Sequence, residues 1–245
     1  MVALVAFWAL FLPLLTSPTG RARLAARTLR DWVLDLPGLA IQGTLIPLAG
    51  TLLLLPVLET GLPNLARSWD LPAPLSFALN FVGVDYLYYW NHRLLHRPGL
   101  WPLHAVHHTM RDRDVLGTAR NTLWTSFLLV YLWANSLFLF LLQDPRPFAA
   151  SMTITAVLDL WRHSSVGPAP QSALGRILGW ALILPTDHAG HHVGDGTSGN
   201  YGANLRWWDA LHGTQRQGHA LPDVLGAPTG LPWWRELCWP FGAPR

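Results

Sequence analysis

Histidine carries most of the chemistry this sequence could do. Eleven of its 245 residues are histidine, and five of them fall between positions 92 and 108. They read His92-Arg-Leu-Leu-His96 and then His104-Ala-Val-His107-His108, and a third group reads His188-Ala-Gly-His191-His192. Helical residues three and four apart share a face. HxxxH therefore presents two imidazoles one turn apart, and HxxHH presents its first imidazole together with each of its last two. Eight imidazoles converging from three such motifs would surround a two-metal centre. Imidazole suits iron, zinc, copper and nickel alike, so the ligands do not select the metal. His163 stands alone between the groups, while His212 and His219 lie beyond them and read as interfacial side chains.

The elements that must position these motifs are written in apolar runs. The chain is 51% hydrophobic and 13% charged, about half the charge of an average soluble domain. That balance argues against a disordered chain and fits a helical membrane protein. Residues 1–20 carry no charge, lack a basic leader and an A-x-A site, and read as a retained first span. Residues 36–58 are again uncharged and form the clearest span, with Pro47 and Pro56 as kinks or ends. Residues 71–91 hold one charge, Asp85, and residues 121–143 hold none. Residues 147–158 are short for a crossing, so 121–160 reads as a helical hairpin turning at Gln143–Pro147. All 17 basic residues are arginine. Arg21, Arg23, Arg27 and Arg30 follow the first span, and Arg93, Arg97, Arg111, Arg113 and Arg120 follow the third. The positive-inside rule then puts 20–35, 92–120 and everything after about 161 in the cytoplasm. The expectation is one all-α domain over 1–245, with four to five spans and a cytoplasmic-face helical cap carrying the histidines. Cys238, the one cysteine, excludes an internal disulfide and any CxxC motif. The basic charge punctuates apolar runs and forms no separate basic domain, so no nucleic acid is expected.

The three histidine groups resemble the histidine boxes of the fatty acid hydroxylase/sterol desaturase superfamily, and their flanks match as well. Asp85-Tyr-Leu-Tyr-Tyr-Trp-Asn-His92 resembles the family's aromatic run into the first box, and Leu100-Trp101-Pro-Leu-His104 the approach to the second. Trp161-Arg-His163-Ser164 resembles the lone histidine between boxes. Asn200-Tyr201-Gly202 and Trp208-Asp209…Gly213-Thr214 resemble the stretch after the third. The resemblance covers about 80–215. It implies a non-haem diiron enzyme that uses O2 to hydroxylate or desaturate a membrane lipid such as a fatty acyl chain or sterol. His92, His96, His104, His107, His108, His163, His188, His191 and His192 would be its metal ligands. The sequence departs from the family at Asn121-Thr122, where many relatives have His-Pro, at His212 and at Asp159, which would be a ligand if relatives ligate there.

An alkyl C–H bond is inert to acid–base chemistry, so its oxidation calls for metal-activated oxygen. Ligating imidazoles must be held by acceptors on their other ring nitrogen. Asp85, two helical turns before His92, is the first candidate, with Asp159, Asp187 and Asp209. Asp187 reads equally as a helix cap. Asn200, Tyr201 and Asp209 would position the last box or close over the site. Trp207–Trp208 and Trp233–Trp234 read as an interfacial belt. The sequence has no dinucleotide fingerprint and no haem or iron–sulfur domain. Electrons would come from a separate ferredoxin, small haem protein or reductase docking near Arg111 and Arg113. Two other readings compete: a non-enzymatic membrane metal or haem carrier, and a zinc-stabilised scaffold. The lack of lysine and the abundance of Ala, Arg, Pro and Gly suggest a bacterial inner membrane.

Overall fold

The computed structural model describes residues 1–193, 199–216 and 225–242. His219 lies outside them. Among the described residues every regular element is helical, and β structure is limited to two isolated bridges.

The first helix, α1 (Val2–Thr16), turns sharply at Ser17 into α2 (Pro18–Ala25), and the two axes differ by 93°. Ser17 is extended, its hydroxyl caps α2 by accepting from the Gly20 amide, and Pro18 at the first helical position cannot continue the preceding hydrogen-bond ladder. The expected first span is thus a broken one. The second, α3 (Leu29–Gly61), is a continuous helix of 33 residues and the clearest candidate to cross a bilayer. Pro47 and Pro56 neither end nor break it. Each is preceded by a π-helical turn, Ile41–Leu45 and Gly50–Leu54, that closes two residues earlier. A proline ring collides with the carbonyl four residues back. Those carbonyls belong to Gly43 and Leu52, in the middle of the widened turns, where the wider winding gives them room. Only 17% of the most apolar window of α3 is buried, so side chains such as Leu48, Leu52, Leu53 and Val57 face outward, as on a lipid-facing helix.

Helices α4 (Ala73–Ala78) and α5 (Asp85–Leu95) are joined by a third π-helical turn, Leu79–Val84. After a short α6 (Pro102–Ala105), residues 107–129 run through 3-10 turns and irregular backbone. Helix α7 (Val130–Leu141) has 12 residues, about 18 Å of rise and well short of a bilayer core. The expected fourth span is therefore only half helical, because 121–129 are spent in turns and a short 3-10 segment. Its hairpin partner α8 (Arg146–His163) starts where the sequence placed the reversal and runs through Asp159 to His163. Among the described helices, length and apolarity alone support one crossing, or two with the bent α1–α2 pair.

Helix α8 is the central post. It packs against α1, α4, the π turn after α4, and α10 (Pro185–His191). Val84, Ala134, Leu142 and Phe148 form the buried apolar knot where α5, α7 and α8 meet. The remaining elements are α9 (Ala173–Gly179), α11 (Trp207–Leu211) and α12 (Trp233–Cys238).

A buried ionic knot fastens the start of α3 to the loop after α6. Arg120, 2% exposed, donates to both Asp35 carboxylate oxygens at 2.6 and 2.9 Å and to Asp31 at 3.0 Å. Arg27 pairs with the same Asp35 and with Asp114. Gly38 allows the approach, since a Cβ there would lie 2.1 Å from the Ala119 carbonyl oxygen. Arg30 likewise grips Glu236 of α12. Removing one member of a buried ion pair leaves its partner uncompensated, at a cost of about 3–5 kcal/mol. Arg120→Met should therefore lower the melting temperature of the detergent-solubilised protein sharply, and an unchanged melting curve would refute this role.

Candidate metal centre

The histidine motifs sit at the ends of four helices. His92 and His96 occupy the last turns of α5, and His163 is the last residue of α8. His104 lies in α6, while His107 and His108 lie in the 3-10 turn that follows it. His188 and His191 lie in α10 and His192 caps it. Asp187 is the cap at the other end, its carboxylate accepting from the Leu184 amide at 3.0 Å.

All nine histidines expected as ligands come together, in two groups. His92, His96, His104, His108 and His191 form one, and His107, His163, His188 and His192 the other. Within each group the available ligand atoms lie within 4.8 Å of one another, close enough to hold one metal ion per group. Each HxxHH box is divided between them. His104 and His108, four apart, serve the first group and His107 the second; His188 and His192 serve the second and His191 the first. Adjacent helical residues diverge by about 100°, so neighbours face different groups. The spacing predicted that the first histidine would join each of the last two. In both boxes it joins only the one four residues on.

The ring nitrogens test whether metal ions suit these groups. His92 Nδ1 lies 2.8 Å from the Tyr201 carbonyl oxygen and His191 Nδ1 lies 2.7 Å from that of Gly199. A carbonyl only accepts, so both protons are on Nδ1 and both Nε2 atoms carry bare lone pairs. Those two Nε2 atoms face each other at 3.1 Å. The second group repeats the arrangement. His107 Nδ1 donates to the Arg120 carbonyl at 3.1 Å, His163 Nδ1 donates to that of Asp159 at 2.7 Å, and their Nε2 atoms stand 3.3 Å apart. Facing lone pairs repel unless a cation lies between them. Two nitrogens each about 2.1 Å from one ion lie about 3.0–3.4 Å apart at right-angled to tetrahedral geometry. His108, 2% exposed, adds an orphan: neither ring nitrogen has a hydrogen-bond partner among the described residues. The residues fit metal ions.

Burial, followed by neighbouring imidazoles, pushes His104, His107, His108, His188 and His192 well below the ordinary 6.5. Burial also brings His191 down to about 4, against its bond to Gly199. These side chains are neutral at pH 7, the state a metal requires.

The acceptors are mainly backbone carbonyls, which have no side-chain signature in a sequence. Asp159 does reach its histidine, with its carbonyl and a carboxylate oxygen 3.3 Å from His163 Nδ1, and it also pairs with Arg162. It belongs to neither histidine group. Asp85 points elsewhere than the sequence suggested. It accepts from the Asn204 and Leu205 amides and from Trp208 Nε1, at 2.8, 3.1 and 2.8 Å. Trp208 is thus tied inside the fold, not floating in an interfacial belt. Asp209 accepts from the Tyr201 and Gly202 amides, both at 2.8 Å, and from the Thr214 hydroxyl. Asn200 binds the Asp187 and Arg216 carbonyls. Together these side chains fix the 199–209 loop, whose Gly199 and Tyr201 carbonyls hold His191 and His92. The sequence marked this loop by Asn200, Tyr201 and Asp209; it enters through Gly199 and Asn200 at consecutive positive φ angles of 84° and 56°. His212 lies outside both groups, packed on Tyr86, Tyr89 and Trp90.

A cavity of about 600 Å³ opens between α1, α3, α7 and α8. Its walls are chiefly apolar, from residues such as Phe7, Leu39, Ile46, Leu132 and Leu139, and Asp159 and Arg162 stand at one end.

An all-helical scaffold, an outward-facing apolar helix and nine inward-facing histidines define a membrane-associated helical protein with a histidine-box centre. The chain belongs to the fatty acid hydroxylase family, whose model matches residues 77–214. It is 28% identical over 154 residues to an alkylglycerol monooxygenase from Xenopus tropicalis, covering 60% of this chain and 31% of that protein. The human alkylglycerol monooxygenase is 29% identical over 153 residues, with the same coverage. The ornithine lipid hydroxylase OlsE of Rhizobium tropici is 30% identical over 186 residues, 71% of this chain and 51% of that protein. The chain thus spans about a third to a half of the length of these relatives. No solved structure matches it.

Because folding keeps the buried imidazoles neutral below 6.5, the unfolded chain binds more protons than the folded one as pH falls from 6.5 towards 4. Stability should drop across that window. The melting temperature of metal-free protein, followed over that range, checks the expectation, and a flat profile would contradict it.

Proposed function

We propose that the chain is a membrane-bound, oxygen-dependent lipid hydroxylase whose nine clustered histidines hold two iron ions. The observation that carries this reading is the pair of lone-pair contacts, His92–His191 and His107–His163, one in each group. His92, His96, His104, His108 and His191 would hold one iron, and His107, His163, His188 and His192 the other. When bound, the iron pair supplies the oxidising power, drawn from O2, that an unactivated C–H bond requires. One oxygen atom enters the C–H bond, and the other leaves as water with two electrons and two protons.

The chain's own residues do the rest. The Tyr201, Gly199, Arg120 and Asp159 carbonyls keep each proton on Nδ1 and each Nε2 turned inward. Burial of the cluster keeps bulk water from the oxidant. The apolar cavity holds an alkyl chain with one end at Asp159 and Arg162, a turn or less from His163. The names of the relatives, alkylglycerol monooxygenase and ornithine lipid hydroxylase, support a lipid substrate. Electrons come from a separate ferredoxin, small haem protein or reductase that docks by Arg111 and Arg113 on the cytoplasmic face. Four to five membrane passes, with α3 as the firmest, place the cluster at the cytoplasmic boundary of a bacterial inner membrane. Asp85, Asn200 and Asp209 serve by fixing the loop over the cluster, and Asp187 by capping the helix that carries the third box.

Metal analysis of protein purified without oxygen from iron-replete cells tests the reading. We expect about two irons per chain, with His188→Ala cutting the second group's share and His191→Ala the first's. Lipid extracts of expressing cells should contain a species with one added oxygen that both variants lose. Zinc alone, with no iron uptake on reconstitution and no oxidised lipid, would overturn the proposal.

A further inference from the structure

The part of the fold that carries the histidines leaves an apolar band uncovered among the described residues. Helix α9 buries Gly175 and Gly179 and turns its other side outward, so that Ile177 and the following Trp180 are 70% and 73% exposed. Trp207 of α11 stands against Trp180 with ring centroids 5.6 Å apart, and its indole N–H donates to the Trp180 carbonyl at 3.2 Å. Leu211, one turn beyond Trp207 on the same face, is also exposed. The next residue, His212, carries the band across to α5, where it packs on Trp90, and Trp90 and Leu94 again face outward. Large apolar side chains gathered in one band mark a surface that meets another phase or another molecule.

Position and charge say which. Helix α11 is anchored by Trp208, whose ring lies 4.6 Å from that of Tyr86 and whose N–H binds Asp85. Tyr86 comes six residues before His92, so α11 sits about 9 Å back along α5 from the histidines, towards the apolar knot around Val84 and Phe148. Helices that lie on a bilayer bury their apolar face about 5–10 Å into the headgroup boundary, and tryptophan with arginine is the pairing such a boundary favours. The band has that pairing: Arg93 lies 5.3 Å over the Trp90 ring, and Arg176 is exposed on α9. Asp187 and Asp209, the carboxylates of α10 and α11, are engaged by backbone amides. The most exposed acidic side chains among the described residues, Glu59, Asp70 and Asp144, lie at the far end of α3 and α7, where the Trp69–Leu142 bridge joins the two loops.

We propose that α9, α11 and the outer side of α5 form a membrane-seating surface that lies in the headgroup layer of a bilayer containing anionic lipid. The inference rests on reading α3 as a membrane crossing, and the band is a second, peripheral contact with the same bilayer. The Ile183 amide donates to the Asn204 carbonyl and the Arg206 amide to that of Ala181, so the segment after α9 and the loop that grips His92 are tied together. Pro185 then opens α10, which carries the third histidine box. Seating α9 and α11 on lipid therefore sets the height of that box above the bilayer.

Depth-resolved quenching tests this on the full chain. Cys238, the one cysteine, is exposed, so Cys238→Ser gives a background for single labels. Ile177→Cys, Leu211→Cys and, on α3, Leu48→Cys are each labelled with bimane and reconstituted into vesicles of equal parts phosphatidylcholine and phosphatidylglycerol. The quenchers are a nitroxide near the headgroup, a nitroxide at the acyl-chain end, and acrylamide in the water. We expect the shallow nitroxide to quench the Ile177 and Leu211 positions about two-fold more than the deep one, and the order to reverse at Leu48. Arg176→Glu, or vesicles of phosphatidylcholine alone, should reduce shallow quenching at Ile177. Acrylamide quenching at Ile177 and Leu211 with neither nitroxide effective, while Leu48 responds to the deep nitroxide, overturns the seating surface and leaves the crossing standing. Shallow quenching that ignores lipid charge overturns the anionic preference. A Leu48 label that neither nitroxide reaches overturns the crossing, and this inference with it.

Discussion

Two pairs of imidazole nitrogens facing each other in the dark of the protein set the terms for everything around them. His92 and His191, and again His107 and His163, turn bare lone pairs on one another because carbonyls hold their protons on the far side. Such a contact is repulsive by itself, and a cation seated between the rings would offset the repulsion. The surrounding construction serves to hold these rings against that force. Asp85 and Asp209 between them receive five hydrogen bonds from residues 201–208, so the loop that grips His92 cannot slide. On the other side, Arg120 is clamped by Asp31 and Asp35, and its carbonyl is the acceptor for His107. The ionic knot at the head of α3 and the orientation of a histidine are thus one mechanical unit.

Eight of the nine histidines were legible in the sequence because their spacing is a helical signature that chance does not produce three times over; His163 has no such spacing and was marked only by the family resemblance of Trp161-Arg-His163-Ser164. Their division into groups was not. A motif read on an ideal helix predicts shared faces, and the real second box begins in one turn of α-helix and ends in a 3-10 turn. The holding groups were mostly invisible for a physical reason: a backbone carbonyl looks the same at every position. Asp85 was rightly singled out as a costly buried charge, but its partners are amides more than a hundred residues away, and no spacing rule reports them.

The spans were legible in part. Charge-free runs located α3 and the α7–α8 hairpin, whereas the 121–129 run is apolar without being α-helical and bonds instead to the Leu103 and Leu237 carbonyls through Thr125 and Leu123. The arginine tally behind the orientation also needs reinterpretation. Arg27, Arg30 and Arg120 were counted as soluble positive charge, yet all three are spent on carboxylates inside the fold.

The interleaving of the two boxes has a consequence for how the centre comes into being. Because His107 and His108 are neighbours that serve opposite groups, and His191 and His192 likewise, α6 with its following turn and α10 each serve both halves of the centre, while α5 serves only the first and α8 only the second. An ion bound in the first group would engage α6 and α10, which also carry three of the four histidines of the second. Filling one site would therefore pre-order much of the other, so the two would be coupled through shared backbone without either depending wholly on its neighbour.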